Sequence, residues 1–477
     1  MKKLLITIAI IITSFTGFSQ DSKTGIWEGK LDVGVILRIV FHVNHADDTY
    51  TVLMDSPDQE AYGFKADSVR IQNDSIYVSL KKLRISYAGF FKNDTTLEGN
   101  FIQVRQIPLM LKKVKEISKI RRPQTPEAPF PYEKEDVVFF STNTNLKYGA
   151  TITYPSIPPG TNYIKAPTYP VAILISGSGA QDRNEAIMKH QPFALIADAL
   201  TKKGFLVIRT DDRGVGKSTG DFSKANSKDF TNDIMAVTDY IKKYVHADSF
   251  HLFLIGHSEG GMIAPMVANK RKDIYGIVSL AGISIPASEL MLGQGVAILK
   301  STGVKDSALH AYEKLYKKLL ASMRKTNDSV TAYASGIKIL NKWKKTQPTT
   351  ILKDLDISTE KNQQFFIKTL ANTFTTPWFH YFLNYDPRSQ IKKLKNLHVL
   401  VLNGDEDIQV LKKKNLEAFE RYLKKSKVKS YTVKSYPNLN HLFQHCTTCT
   451  IAEYGILEET FSPEVLKDMS GWMLKVL

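Results

Sequence analysis

The stretch richest in chemistry is "LFLIGHSEGGMIA", residues 252–264. An apolar strand pattern runs into Gly256-His257-Ser258-Glu259-Gly260 and then into a helical pattern. That is the G-x-S-x-G turn in the strand-turn-helix setting which presents a serine hydroxyl at a sheet edge. The serine of such a turn is strained and a Cβ two residues to either side would clash, so both glycines are physical requirements. The start of the helix sets the Glu259 N–H beside the position where an oxyanion would develop. The Glu259 side chain is expected to point outward, leaving only its backbone in use.

A serine nucleophile needs a histidine base and an acid to orient it, and after this turn they follow in the order acid, then histidine. "VLVLNGDEDIQV" (399–410) is a buried strand pattern followed by Asp405, Glu406 and Asp407. Asp407, third past Gly404, fits an acid that leaves the strand end and turns back; Asp405 is the alternative, and otherwise a turn former. Further on, "YTVKSYPNLNHLFQ" (431–444) reads as a strand, a turn and His441, placed to take the serine proton. His257 and His445 lack that location and are expected to be structural or solvent-facing.

The second oxyanion donor normally comes from the loop after an early strand. "AILISGSGAQDRN" (172–184) supplies one, with Ser178 N–H as the expected donor and Gly179 as the close alternative. Asp182 and Arg183 are expected to brace this loop as an ion pair. Two other glycine-rich stretches do not fit a phosphate. "DDRGVGKST" (211–219) has Asp211 where a phosphate-binding loop needs glycine, and "GSGAQD" has Asp182 where a dinucleotide fingerprint needs its third. His441, His445, Cys446 and Cys449 form a group resembling metal ligands. With His441 assigned to the serine and no second ligand pair elsewhere, neither a metal nor a cofactor is expected. The cysteines then either close a small disulfide loop or stay reduced and buried.

The elements that must position these residues follow from the patterning. Residues 1–20 have a Lys2-Lys3 start and a short apolar run, which reads as a secretory signal and an exported chain, periplasmic or extracellular. No later segment is apolar enough to span a membrane. Residues 21–119 alternate in short runs such as "TYTVLMD" and "SIYVSLKKL", an antiparallel β-domain of half-barrel or sandwich type. Residues 120–132 hold four prolines without periodicity and read as a stiff linker. Over 133–477 apolar strands alternate with amphipathic helices, which implies an α/β architecture with a mostly parallel sheet covered on both faces. A Lys-rich helical stretch, about residues 284–390, is too long for a loop and reads as an inserted cap.

Lysine and arginine number 64 against 47 acidic residues, but they are scattered and no nucleic-acid-binding motif accompanies them. The basic surface is read as solvated, with no nucleic-acid partner.

Taken in order, "ISGSGAQDRN", "RTDDRGVGKSTGDF", "IGHSEGG", "PWFHYFLNYDP", "LNGDEDIQV" and "NHLFQ" resemble the α/β-hydrolase superfamily. More narrowly, residues 130–477 resemble bacterial secreted carboxylesterases that carry an N-terminal β-domain. The resemblance implies a Ser258, Asp407, His441 triad, no cofactor, and cleavage of small esters with short acyl chains.

Two further readings compete. An aminopeptidase of the same fold would need cap carboxylates for the substrate's amine, with Glu289, Glu313 and Glu360 available in a cap whose balance is positive. A secreted binding protein that lost catalysis would have no need of all three triad members.

Overall fold

The computed structural model describes residues 21–33, 36–103, 105–118, 121–156, 167–244 and 246–477; the expected secretory signal lies outside them. The chain divides into two compact units, Met1–Ile120 and Arg121–Leu477.

Among the described residues the first unit is one antiparallel sheet of nine strands: β1 (Gly25–Asp32), β2 (Ile36–Ala46), β3 (Thr49–Ser56), β4 (Ala61–Lys65), β5 (Ser68–Gln72), β6 (Ser75–Leu80), β7 (Ile85–Asn93), β8 (Thr96–Ile102) and β9 (Gln106–Val114). Their spatial order is β4-β3-β2-β1-β9-β8-β7-β6-β5. Alternation drives it: on β6, Ile76, Val78 and Leu80 are buried while Ser75 and Tyr77 face out. Phe64 of β4 and Val69 and Ile71 of β5, at opposite edges of the sheet, pack on the same core as Trp27 and Leu97, so the sheet curls around a single apolar centre.

The second unit holds an eight-stranded sheet of β10 (Tyr132–Ser141), β11 (Leu146–Pro155), β12 (Tyr169–Ile175), β13 (Leu206–Thr210), β14 (Ala247–His257), β15 (Ile274–Leu280), β16 (His398–Gly404) and β17 (Ser430–Tyr436). The order is β10-β11-β13-β12-β14-β15-β16-β17; β10 and β11 form an antiparallel hairpin joined antiparallel to β13, and β13 through β17 run parallel. Helices α1 (Pro192–Thr201), α2 (Ser227–Ile241) and α3 (Glu259–Lys270) link successive parallel strands. Between β15 and β16 come α4 (Ala287–Ser301), α5 (Asp306–Met323), α6 (Ser329–Lys344), α7 (Thr349–Asp354), α8 (Glu360–Phe374), α9 (Pro377–Leu383) and α10 (Arg388–Lys393). Then α11 (Lys412–Leu423) precedes β17 and α12 (Pro463–Val476) closes the chain.

Both faces of this sheet are covered, and the strand sequences say why. On β14, Leu252 and Leu254 belong to one core with Val237 of α2 and Phe419 of α11, whereas Phe253 and Ile255 belong to another with Leu200 of α1 and Met469 of α12. A strand apolar on both sides can be satisfied only between two helical layers. The inserted helices have a core of their own, including Leu315, Leu319, Trp343 and Phe374. The proline-rich segment is docked by its side chains at Arg122 and Gln124. Arg122 donates to the carbonyls of Met188, Gly455 and Leu457, and the Gln124 side chain accepts the Thr460 and Phe461 N–H groups.

Candidate active site

The turn between β14 and α3 is as tight as its glycines suggest. A Cβ on Gly256 would lie 2.1 Å from the Gly260 carbonyl oxygen, and one on Gly260 would lie 2.1 Å from that of Ile175. Ser258 takes φ 52° and ψ −112°, a left-handed conformation that L-residues rarely adopt. Its N–H is anchored to the Leu280 carbonyl of β15 at 2.8 Å.

Asp407 and His441 meet. His441 Nδ1 lies 2.8 Å from Asp407 Oδ2, and both side chains are buried. The other oxygen of Asp407 accepts the N–H groups of Gln409 and Val410, each at 2.8 Å, so the carboxylate is held as an acceptor and cannot swing. The loops carrying the pair are laced together: Asp405 N–H donates to the Tyr436 carbonyl at 2.8 Å and Glu406 N–H to that of Leu439 at 3.0 Å. Gly404 permits this approach, since a Cβ there would sit 2.3 Å from the Leu439 oxygen. The histidine loop is tied by Asn440, whose Oδ1 accepts from Leu442 N (2.9 Å) and Gln444 N (3.0 Å). Asp405, the alternative acid, is instead bonded to Lys412 at 2.5 Å.

Ser258, Ser178, Glu259 and Gln409 line one cavity of about 180 Å³, walled on the apolar side by Leu290, Met291, Trp378, Phe379 and Phe382. The three cap carboxylates named above, Glu289, Glu313 and Glu360, are not among its lining residues.

Two expectations about supporting side chains need correction. The Glu259 side chain is 3% exposed and turns inward, taking Ser227 Oγ at 2.5 Å and the Trp378 indole N–H at 2.9 Å and 3.0 Å on its two oxygens. Burial pushes its carboxyl above the usual range in spite of these donors. Arg183 does not pair with Asp182. It makes a two-pronged bond to Asp211, Nε to Oδ1 at 2.9 Å and Nη2 to Oδ2 at 2.6 Å, because Asp182 is occupied in accepting the N–H groups of Asn184 (2.9 Å) and Ala186 (3.0 Å). His257 takes the structural of its two expected roles: its Nδ1 faces Glu185 Oε1 at 3.0 Å and its Nε2 the His441 carbonyl oxygen at 3.1 Å. Burial opposes a charge on His257, but the adjoining Glu185 carboxylate outweighs it and raises the imidazole's pKa.

The same Glu185 oxygen accepts the Gly177 N–H at 2.6 Å, which removes Gly177 as an oxyanion donor and fixes the loop that carries Ser178. Asp212 braces that loop from the other side, accepting Ser176 Oγ at 2.7 Å and Gln181 N at 2.9 Å. The stretch that mimicked a phosphate loop is thus a clamp: Asp211 and Asp212 both bind residues 176–183. Glu185 and Asp212 carried no motif of their own, and only their density of nearby polar partners in three dimensions identifies them.

Cys446 and Cys449 are joined in a disulfide. The adjoining Glu453 carboxylate accepts the N–H groups of Thr447, Thr448 and Cys449, so this segment is held by backbone bonds. His445 is exposed and paired with Glu459 at 2.8 Å.

Residues 187–359 match the family described as serine aminopeptidase, S33. Esterase EstD of Thermotoga maritima is 26% identical over 218 residues, 43% of this chain and 50% of the relative, so the chain spans about half the length of that relative. Among solved structures, a hypothetical protein from Pseudomonas aeruginosa is 15% identical with TM-score 0.42, over 76% of this chain and 100% of that one. An esterase from Pyrococcus furiosus is 16% identical with TM-score 0.40, over 76% and 98%. The parallel sheet between two helical layers and the serine elbow after β14 give the second unit an α/β-hydrolase fold, and the matched segment lies within it.

Proposed function

We propose that this protein is a serine hydrolase that cleaves carboxylic esters with short acyl groups. The observation that carries the reading is the buried 2.8 Å contact between His441 Nδ1 and Asp407, in a unit whose elbow serine opens into a cavity of about 180 Å³. With Nδ1–H given to Asp407, the neutral imidazole has Nε2 free to accept a proton.

In this mechanism His441 takes the Ser258 proton as Oγ attacks the ester carbonyl, and the N–H groups of Glu259 and Ser178 stabilise the oxyanion. Collapse breaks the ester C–O bond, the alkoxide leaves with the proton from His441, and water hydrolyses the acyl-enzyme by the same route. A cavity of about 180 Å³ is smaller than the roughly 300–1,000 Å³ usual for ligand sites, which favours a short acyl chain. The Cys446–Cys449 disulfide supports an exported enzyme in an oxidising compartment.

A second reading, cleavage of aminoacyl amides, draws on the S33 match and on the Glu259 carboxylate in the cavity wall, which would meet a substrate's amine. Both Glu259 oxygens are already engaged by Ser227 and Trp378, so the ester reading is preferred. Turnover of aryl acetate, butyrate and octanoate beside aminoacyl anilides decides between them. Fast acetate or butyrate cleavage that vanishes in Ser258→Ala is expected; comparable anilide cleavage would favour the peptidase, and no turnover at all would favour a binding protein.

A further inference from the structure

A second cavity, of about 390 Å³, lies against β13 and shares no lining residue with the Ser258 cavity. We propose that it binds a small organic anion, whose carboxylate or phosphate group meets Arg209 and whose body lies on the Phe130–Tyr132 aromatic pair.

Arg209 is 7% exposed, the penultimate residue of β13, and lines this cavity. Its Nη1 donates to Asn184 Oδ1, while its Nε has no hydrogen-bond partner. Among the described residues no carboxylate forms an ion pair with it. Burial pushes its pKa down to about 10, the signature of a cation taken from water without a counter-charge. A buried guanidinium with unspent donors is costly, and an oxyanion with two lone-pair-bearing atoms is its natural complement.

Nearby carboxylates do not fill that role. Asp211 is spent on Arg183 in the two-pronged bond, Asp136 accepts from Thr151 and from Arg183 at 3.3 Å, and Asp182 accepts two backbone N–H groups. Asn184 and Thr151 add neutral polar groups to the wall, and the exposed Lys134 and Lys217 stand at its rim. The Tyr132 hydroxyl is committed to Asp198 at 3.0 Å, leaving its ring, stacked on Phe130 with centroids 5.3 Å apart, as an apolar surface. A site with one recessed cation that lacks a carboxylate partner, basic residues at the mouth and an aromatic wall selects an anion with a flat or apolar body over an inorganic ion.

Calorimetric titration of the whole protein with benzoate, phenyl phosphate, acetate and inorganic phosphate tests this. Saturable one-to-one binding is expected for benzoate, phenyl phosphate or both, tighter than for acetate or phosphate, and the stronger of the two aryl ligands identifies the head group. Arg209→Gln should weaken it by about tenfold or more, the loss expected for a charge-assisted pair. Phe130→Ala should weaken the aryl ligands and leave acetate and phosphate unchanged. If Arg209→Gln fails to fold, Lys134→Gln with Lys217→Gln at the exposed rim should still lower affinity about threefold and flatten its salt dependence. Absence of saturable binding by the native protein, or affinities unchanged in Arg209→Gln or in the folded rim variant, would overturn the proposal.

Discussion

Glu259 and Trp378 are bonded, the carboxylate receiving the indole N–H at 2.9 Å and 3.0 Å, which ties the first turn of α3 to α9 of the inserted cap. The residue next to the elbow serine therefore reports the position of the cap. Trp378→Phe keeps most of the ring but leaves a buried carboxylate short of a donor, at a cost of about 1–3 kcal/mol. The melting temperature should fall, and KM for short esters should rise more than kcat falls, because the cap wall loosens while the elbow stays intact. An equal loss in kcat with KM unchanged would mean that Trp378 acts on the chemical step.

The two aspartates after β16 have opposite expected phenotypes. Asp407 orients His441, so Asp407→Asn should lower kcat by about 10,000-fold, the scale for a triad acid that loses its acceptor role. Asp405→Asn weakens a partly exposed ion pair with Lys412 and should leave kcat within about twofold, since ion pairs near the surface contribute about 0–1 kcal/mol. Steady-state kinetics on an aryl acetate checks both, and a large loss in Asp405→Asn would reverse the assignment.

Burial pushes the Asp212 carboxyl up to about 7, beyond the lowering effect of the Gln181 N–H and Ser176 hydroxyl. Folding thus favours its protonated form. The contribution of Asp212 to stability is greatest below 3.8, its ordinary value, and is lost as pH rises toward about 7. Asp211 and Asp273, whose values are lowered in the fold, act in the opposite direction, so the difference between variant and parent isolates Asp212. Asp212→Asn should lose that component: its melting temperature relative to the parent should rise between pH 4 and pH 7. A flat difference across this range would show that Asp212 is ionised throughout.

The large features of the second unit were legible because they rest on periodicities that burial enforces. Strands such as β14 are apolar on both faces, and the glycines around Ser258 and at Gly404 mark places where two backbones touch. Less legible were elements whose pattern is short or mixed. β4 and β5 have five residues each, and β1 interleaves Glu28, Lys30 and Asp32 with its apolar side chains. Side-chain partnerships were least legible of all. That Arg183 chooses Asp211 over its neighbour Asp182, or that Glu259 turns inward, depends on which donors the fold brings within reach, and sequence proximity carries no such information.

The disulfide should matter more for stability than for turnover. Cys446 and Cys449 are three positions apart, and closing so small a loop restricts the unfolded chain by about 2 kcal/mol. The histidine loop has its own ties through Asn440 and Gln444, so Cys446→Ser with Cys449→Ser should lower the melting temperature by several degrees and leave kcat within about twofold. A matching drop on reducing the parent protein would assign the effect to the bond, whereas a collapse in kcat would mean that the disulfide positions His441.

At Gly404 the loops carrying Asp407 and His441 touch, and a methyl group there has nowhere to go. A Cβ would lie 2.3 Å from the Leu439 oxygen and 2.6 Å from that of Asn440, both backbone atoms of the segment leading into His441. Gly404→Ala must therefore push that segment away from the turn holding Asp407. Overpacking of this kind costs about 1–3 kcal/mol, but the greater effect should fall on kcat, because Asp407 and His441 must stay at hydrogen-bond distance for the imidazole to be oriented. Gly471→Ala is the matched control: it lies inside α12 with open space around the new methyl, where alanine is favoured over glycine by about 0.5–1 kcal/mol. Measured side by side, Gly404→Ala should lose most of its kcat while keeping a cooperative melt, and Gly471→Ala should melt slightly higher with kcat unchanged. Equal kcat in the two variants would show that the approach of the loops at Gly404 does not set the geometry of the pair.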